Sequence, residues 1–265
     1  MPKKTHGSAS PEPAELQPGP YWRTSRQPLE ILVFLAPFIL VYEIGLLGIL
    51  RSNDGLVLTN QAHKLIVEFF ERLGVLGWGV ALPGIVLVVV LLVWQVIQRR
   101  PWRVDFGVVA MMWVESMLLM IPLYVLARYI STGPMLIAPT EMSCAMESSL
   151  LTGVVVGIGA GLYEELIFRW LLIALIHAVV CDLFRGPSLL GLCIALVVSS
   201  VAFAWYHPLE DANNWTKAFY LLGGFYFGVL YLVRGFGIVA AVHALYDIAA
   251  VLGPGLARAE GVSGG

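Results

Sequence analysis

Residues 148–184 read SSLLTGVVVGIGAGLYEELIFRWLLIALIHAVVCDLF. Two properties of this stretch conflict. It is apolar over more than one bilayer crossing: as a helix it reaches about 55 Å at 1.5 Å per residue, against a hydrocarbon core of about 30 Å. Yet its middle carries Glu164, Glu165 and Arg169, and an acidic or basic side chain at that depth costs at least ~2.5–3.5 kcal/mol. The segment therefore either tilts and protrudes or breaks near the charges. A chain that accepts such a cost does so to build a reaction site or an ion path. N-terminal to the acids, Gly153, Gly157 and Gly161 recur every four residues and Glu165 continues the stripe; small residues at this spacing let another helix approach closely.

The rest of the chain agrees with a membrane setting. Of 265 residues, 58% are hydrophobic and 13% charged, with mean hydropathy +0.81. A soluble domain has roughly 45–50% apolar and about 25% charged residues. The fold class is therefore all-α: a polytopic helical bundle. Spans are predicted at about 31–50, 75–97, 107–127, 149–180, 187–207, 217–233 and 236–252, seven in all, or eight if 148–184 breaks in two. Residues 56–73 (LVLTNQAHKLIVEFFERL) have apolar residues at helical spacing with mixed polarity, which predicts an interfacial amphipathic helix. Residues 1–28 are polar and rich in Pro and Ser with no cleavable apolar core, and are expected to be a disordered tail. A single membrane domain over 29–256 and a short flexible tail over 257–265 complete the organisation. More Lys and Arg fall in the segments on the tail's side than opposite, so the positive-inside rule leans toward an internal N-terminus. A net charge of −2 leaves no nucleic-acid footprint. Cys144, Cys181 and Cys193 are scattered and read as packing residues.

Two further clusters stand beside the first. FAWYH ends on His207 before Pro208; the residue before proline avoids the helical region, so His207 is predicted where its helix stops. HALYD places His243 and Asp247 one turn apart on the last span. Within EELIFR, Glu165 and Arg169 share a face and can neutralise one another, as buried charges must. Glu164 points about 100° away and has no local partner; a desolvated glutamate is a competent general base. A carboxylate and an imidazole sharing one water make a nucleophile for amide hydrolysis. No serine or cysteine sits in a nucleophile setting and no HExxH pattern occurs.

The ordered triplet EExxxR, FxxxH and HxxxN/D on successive late spans, over about 148–252, resembles the CPBP family of CAAX proteases and bacteriocin-processing enzymes, glutamic-type intramembrane endopeptidases. The resemblance implies that Glu164 activates water with His207, that Glu165 and Arg169 support the site, and that His243 and Asp247 stabilise the oxyanion. Family members often carry Asn where this chain has Asp247. An ionised aspartate cannot donate to an oxyanion, so Asp247 is either protonated or orients His243, which then donates alone. No cofactor is expected; a zinc ion on Glu164, His207 and His243, with an open fourth position, is the metal-dependent alternative.

The function read from these residues is hydrolysis of a peptide bond in a membrane-associated or lipidated protein or peptide. The alternatives are an ion- or proton-coupled transporter and a non-catalytic membrane partner or immunity protein. The expected partners are that substrate and the lipid bilayer, with no nucleic acid, and the expected location is a bacterial cytoplasmic membrane. Glu43 and Glu115 also violate the lipid rule, with substrate contact and ion pairing equally open for both. His177 reads as packed or interfacial, and His63 as solvated.

Overall fold

The computed structural model describes residues 20–48, 60–74, 82–132, 150–207, 212 and 214–262, and every regular element among them is helical. In chain order these are α1 (Pro20–Thr24), α2 (Pro28–Gly48), α3 (Gln61–Arg72), α4 (Leu82–Gln98), α5 (Phe106–Thr132), α6 (Leu150–Leu183), α7 (Ser188–Tyr206), α8 (Asn214–Arg234) and α9 (Phe236–Val262). Six of them, α2 and α5 to α9, are long and apolar enough to cross a bilayer, and α4 is a shorter apolar helix. That helix lies where the second span is predicted; residues 75–81 of that prediction fall outside the described residues. The protein is a polytopic helical bundle. Its outer surface is apolar, with Leu40, Ile44, Val93, Leu118 and Val197 exposed, as lipid-facing side chains are.

Local signals set the helix ends. Prolines open α1 and α2, where a missing N–H costs nothing. The Asn60 side chain accepts from His63 N at 2.7 Å to cap α3, and Asp105 Oδ1 accepts from Gly107 N and Val108 N to cap α5. Gly235 alone links α8 to α9 at φ +86°, a conformation that favours glycine. His207 ends α7 in an extended conformation (φ −79°, ψ 145°), as its place before a proline predicts.

The long segment neither breaks nor splits. It runs as one helix from Leu150 to Leu183 and contains two π-helical stretches, Leu166–Leu171 and Val179–Leu183. The first begins directly after Glu165. Widened turns of this kind often mark functional positions within helices.

The described chain begins earlier than the expected tail boundary at 28. Residues 20–24 are helical, Ser25 is buried and accepts from Arg234 Nη2 at 3.2 Å; residues 1–19 lie outside the described residues. Arg234 also donates through Nε to Glu115 Oε1 and through Nη2 to Glu115 Oε2 at 2.6 Å. Its guanidinium lies 3.9 Å from the Trp22 ring. Glu115 is thus an ion-pairing residue that clasps α5 to α1 and the end of α8. At the other end, the α9 helix continues to Val262, past the boundary expected at 256.

His63 is the one position read as solvated that is buried, at 1% exposure. The first turn of α3 dips against α2 and α6, where His63 Nδ1 lies 2.9 Å from Tyr42 Oη and its ring meets Tyr163. Lys64, Glu68 and Glu71 remain exposed on the other side of α3.

The glycine stripe packs α6 on α9. A Cβ added at Gly153 would meet the Val251 side chain at 3.1 Å, one at Gly157 would meet Asp247 Cβ at 2.8 Å, and one at Gly161 would collide with the Ala244 backbone. Backbone cannot swing aside. Gly161→Leu is therefore expected to destabilise by at least the ~1–3 kcal/mol typical of overpacking, read by thermal unfolding in detergent. Gly48→Leu, where nothing described lies within 4 Å, should leave the midpoint unchanged.

Candidate active site

Three helices bring their charged residues to one place. Glu164 (2% exposed), Glu165 and Arg169 come from α6, His207 from the end of α7, and His243 from the first half of α9. Glu164 Oε2 lies 3.9 Å from His207 Nε2 and 4.0 Å from His243 Nε2. These are ion-pair distances too long for direct hydrogen bonds. All three side chains, with Asp247, line one cavity of about 140 Å³.

The two adjacent glutamates embrace His243. Glu165 Oε1 is 2.9 Å from His243 Nδ1, while Glu164 faces Nε2 on the other side of the ring. A carboxylate only accepts, so Nδ1 carries the proton. Arg169 Nε sits 3.2 Å from Glu165 Oε2, with both side chains fully buried. The predicted pair therefore forms and extends to the histidine. Asp247 Oδ2 is 3.6 Å from His243 Nε2. It is the most exposed of the six, at 24% for its side chain, so it stands at the cavity wall, not beneath it.

His207 is oriented by its own helix end. Its Nδ1 lies 2.8 Å from the Phe203 carbonyl oxygen. A carbonyl accepts, so Nδ1 is the protonated nitrogen and Nε2 of the neutral ring offers a lone pair toward Glu164. This bond needs a carbonyl left free where α7 stops, which ties the ring's tautomer to the break before Pro208.

Several supporting residues carry no motif. Ser199 accepts from Arg169 Nη1 at 3.3 Å and donates to the Phe168 carbonyl at 2.7 Å, linking α6 to α7. Phe227 stacks on His243 (4.5 Å, 20°) and Tyr220 lies over His207 (4.2 Å, 33°). Arg169 lies 4.5 Å from the centre of the Phe203 ring, which replaces part of its lost hydration. The detectable signal for the aromatic pair is on α8: Gly224 and Gly228, four apart, lie on the side facing α7, where added Cβ atoms would meet Ser200 O at 3.0 Å and Leu196. Tyr220 and Phe227 flank that contact.

Glu43 and Glu115 do not line the cavity. Glu43 accepts from Tyr163 Oη at 3.1 Å on the α2 side of α6. His177 is half-buried, with Nε2 3.1 Å from Ser188 Oγ and within contact of Cys181, and stands apart from the three clusters. As for a metal, Glu164, His207 and His243 are the candidate ligands. Among the described residues no group of three or more His, Cys, Asp or Glu side chains is gathered tightly enough to hold one.

Residues 146–249 match the family model described as Type II CAAX prenyl endopeptidase Rce1-like, and the match spans every residue of the three clusters. Over that segment the chain is similar to CAAX-type membrane endopeptidases. No curated protein and no solved structure matches the chain.

The buried pair makes a stability prediction. Arg169→Ala leaves the Glu165 carboxylate buried without its cation, and removing one partner of a buried pair typically costs about 3–5 kcal/mol. Ser199→Ala, which removes one neutral hydroxyl, should cost only about 1 kcal/mol. Unfolding midpoints of the two purified variants should therefore separate clearly.

Proposed function

We infer that Glu164 and His207 activate a single water for attack on a peptide bond. The observation that carries this reading is the position of Glu164 Oε2, about equally far from two imidazole nitrogens across one buried cavity. A water there donates one hydrogen bond to the carboxylate and one to His207 Nε2, which leaves an oxygen lone pair for the scissile carbonyl. Attack forms the C–O bond as a water proton passes to Glu164. Collapse of the tetrahedral intermediate breaks the C–N bond, and Glu164 returns that proton to the departing amine.

His243 supplies the oxyanion contact. With Nδ1 committed to Glu165, its Nε2–H, present in the imidazolium form, is the donor that reaches the cavity. Asp247 lies beside that nitrogen beyond hydrogen-bond range, which supports the second of the two roles open to it: it holds the charged ring and does not itself donate. Glu165 and Arg169 position His243. The substrate is a protein or peptide segment, lipidated or otherwise membrane-associated, delivered at the membrane.

The test is cleavage by purified protein in detergent of membrane-associated and lipidated peptides, with product termini read by mass spectrometry. Glu164→Gln and His207→Ala should each lower kcat by at least the 10²–10⁴-fold (roughly) of a lost general base, with unfolding midpoints near wild type. Undiminished cleavage by Glu164→Gln would overturn the mechanism. Chelator should leave the rate unchanged; loss restored by zinc would replace the direct water with a metal-bound one.

Asp247 makes a separate prediction. If it holds His243 and does not donate, Asp247→Asn should retain cleavage within about tenfold, whereas His243→Ala should lose the 10²–10³ (roughly) of a missing oxyanion donor. The comparison is of kcat at fixed saturating peptide.

A further inference from the structure

A second cavity, of about 680 Å³, lies away from the three clusters, where α2 begins, α4 and α8 end, the last turns of α6 pass and α9 starts. That volume is within the roughly 300–1,000 Å³ of small-molecule sites. Its make-up is graded. The floor is buried and apolar, with Ile31, Ile173 and Phe236 at 1–3% exposure. The walls carry half-buried Trp94, Trp170 and Tyr231, side chains that favour the boundary between hydrocarbon and headgroups. The rim is polar and exposed, with Arg26, Gln98 and Asp182.

Among the described residues, the charges on that rim have no hydrogen-bond or ion-pair partner. Arg234, close by, is already matched by Glu115. Arg26 and Asp182 line the same cavity, and among the described residues neither pairs with the other or with another side chain. Partial burial and the neighbouring Arg234 pull the Arg26 guanidinium below its ordinary value. Its stem is laid against the α8–α9 turn, where an added Cβ on Gly235 would lie 3.7 Å from Arg26 Cγ.

We propose that this cleft binds phosphatidylethanolamine, its phosphate on Arg26, its ammonium on Asp182 and an acyl chain over Ile31, Ile173 and Phe236. One cation and one anion, separated on the rim of an apolar slot, complement a headgroup that carries both charges. An anionic lipid would satisfy Arg26 but face the Asp182 carboxylate. A choline headgroup has no N–H to donate to Asp182. The site lies outside the catalytic cavity and does not depend on the reaction proposed for it.

The experiment is native mass spectrometry of the purified full chain, delipidated in detergent and titrated with short-chain phosphatidylethanolamine, phosphatidylcholine or phosphatidylglycerol, or with inorganic phosphate. Phosphatidylethanolamine should bind at least about tenfold more tightly than the other two lipids, one charge-assisted hydrogen bond's worth, and inorganic phosphate should not compete. Arg26→Gln should weaken its binding by a similar factor, and Asp182→Asn should reduce it to the level of phosphatidylcholine. Both side chains are exposed, so neither variant threatens the fold. Ala174→Trp, which fills the slot, should displace all three lipids. Equal binding of the three lipids, phosphatidylethanolamine binding unchanged in both charge variants, or competition by inorganic phosphate would each overturn the assignment.

Discussion

The close approach of α6 and α9 is the constraint on which the site depends. At Gly157 and Gly161 the space that a side chain would need is occupied by Asp247 and by the Ala244 backbone. Ala244 directly follows His243 on α9 and Asp247 lies one turn beyond it, so the contact that excludes a Cβ also sets the histidine's height against Glu164 and Glu165. In a bilayer no hydrophobic effect drives helices together, and close van der Waals packing must supply much of the association. A stripe of glycines on one helix thereby becomes a positional device for an imidazole on another.

The buried charges then act as one unit. Arg169 neutralises Glu165, Glu165 holds Nδ1 of His243, and the ring's other nitrogen faces Glu164. Part of each group's cost of burial is offset by the next, and Ser199 and the Phe203 ring replace part of the guanidinium's lost hydration. Burial divides the members of this chain. Arg169 and Glu165 are buried completely and are structural in position, while Glu164, His207 and Asp247 face a cavity. A second polar anchor, Arg234 with Glu115, Tyr21 and Ser25, lies away from the cavity and ties α1 and the residue after it to α5 and α8. Burial and the adjacent Glu115 push the Tyr21 phenol up to about 12, so it stays protonated and able to donate.

Membrane class, helix positions and the three clusters were legible in the sequence because each rests on local pattern. Hydropathy over about 20 residues reports a span, i, i+4 spacing pairs Glu165 with Arg169 and His243 with Asp247, and Pro208 ends the helix at His207. His63 shows where such reading stops. A histidine among Lys, Glu and Arg on an amphipathic segment looks solvated, and only the contact of that segment's first turn with Tyr42 and Tyr163 buries it. Glu115 and Arg234 are likewise 119 positions apart, and nothing near either residue announces the other.

What this sequence determined by itself is therefore a set of charged residues that lipid would not tolerate alone, placed on named helices at known turns. Tertiary structure decided which of them meet. It put both glutamates around one histidine, laid Tyr220 and Phe227 against the two rings, and kept Glu43 and Glu115 outside the cavity. The physical reason is that spacing along a helix specifies a direction around its axis, whereas contact between helices depends on how near their backbones come and at what height. Those quantities are set jointly by glycines and large side chains on both partners, and neither partner's sequence contains them alone.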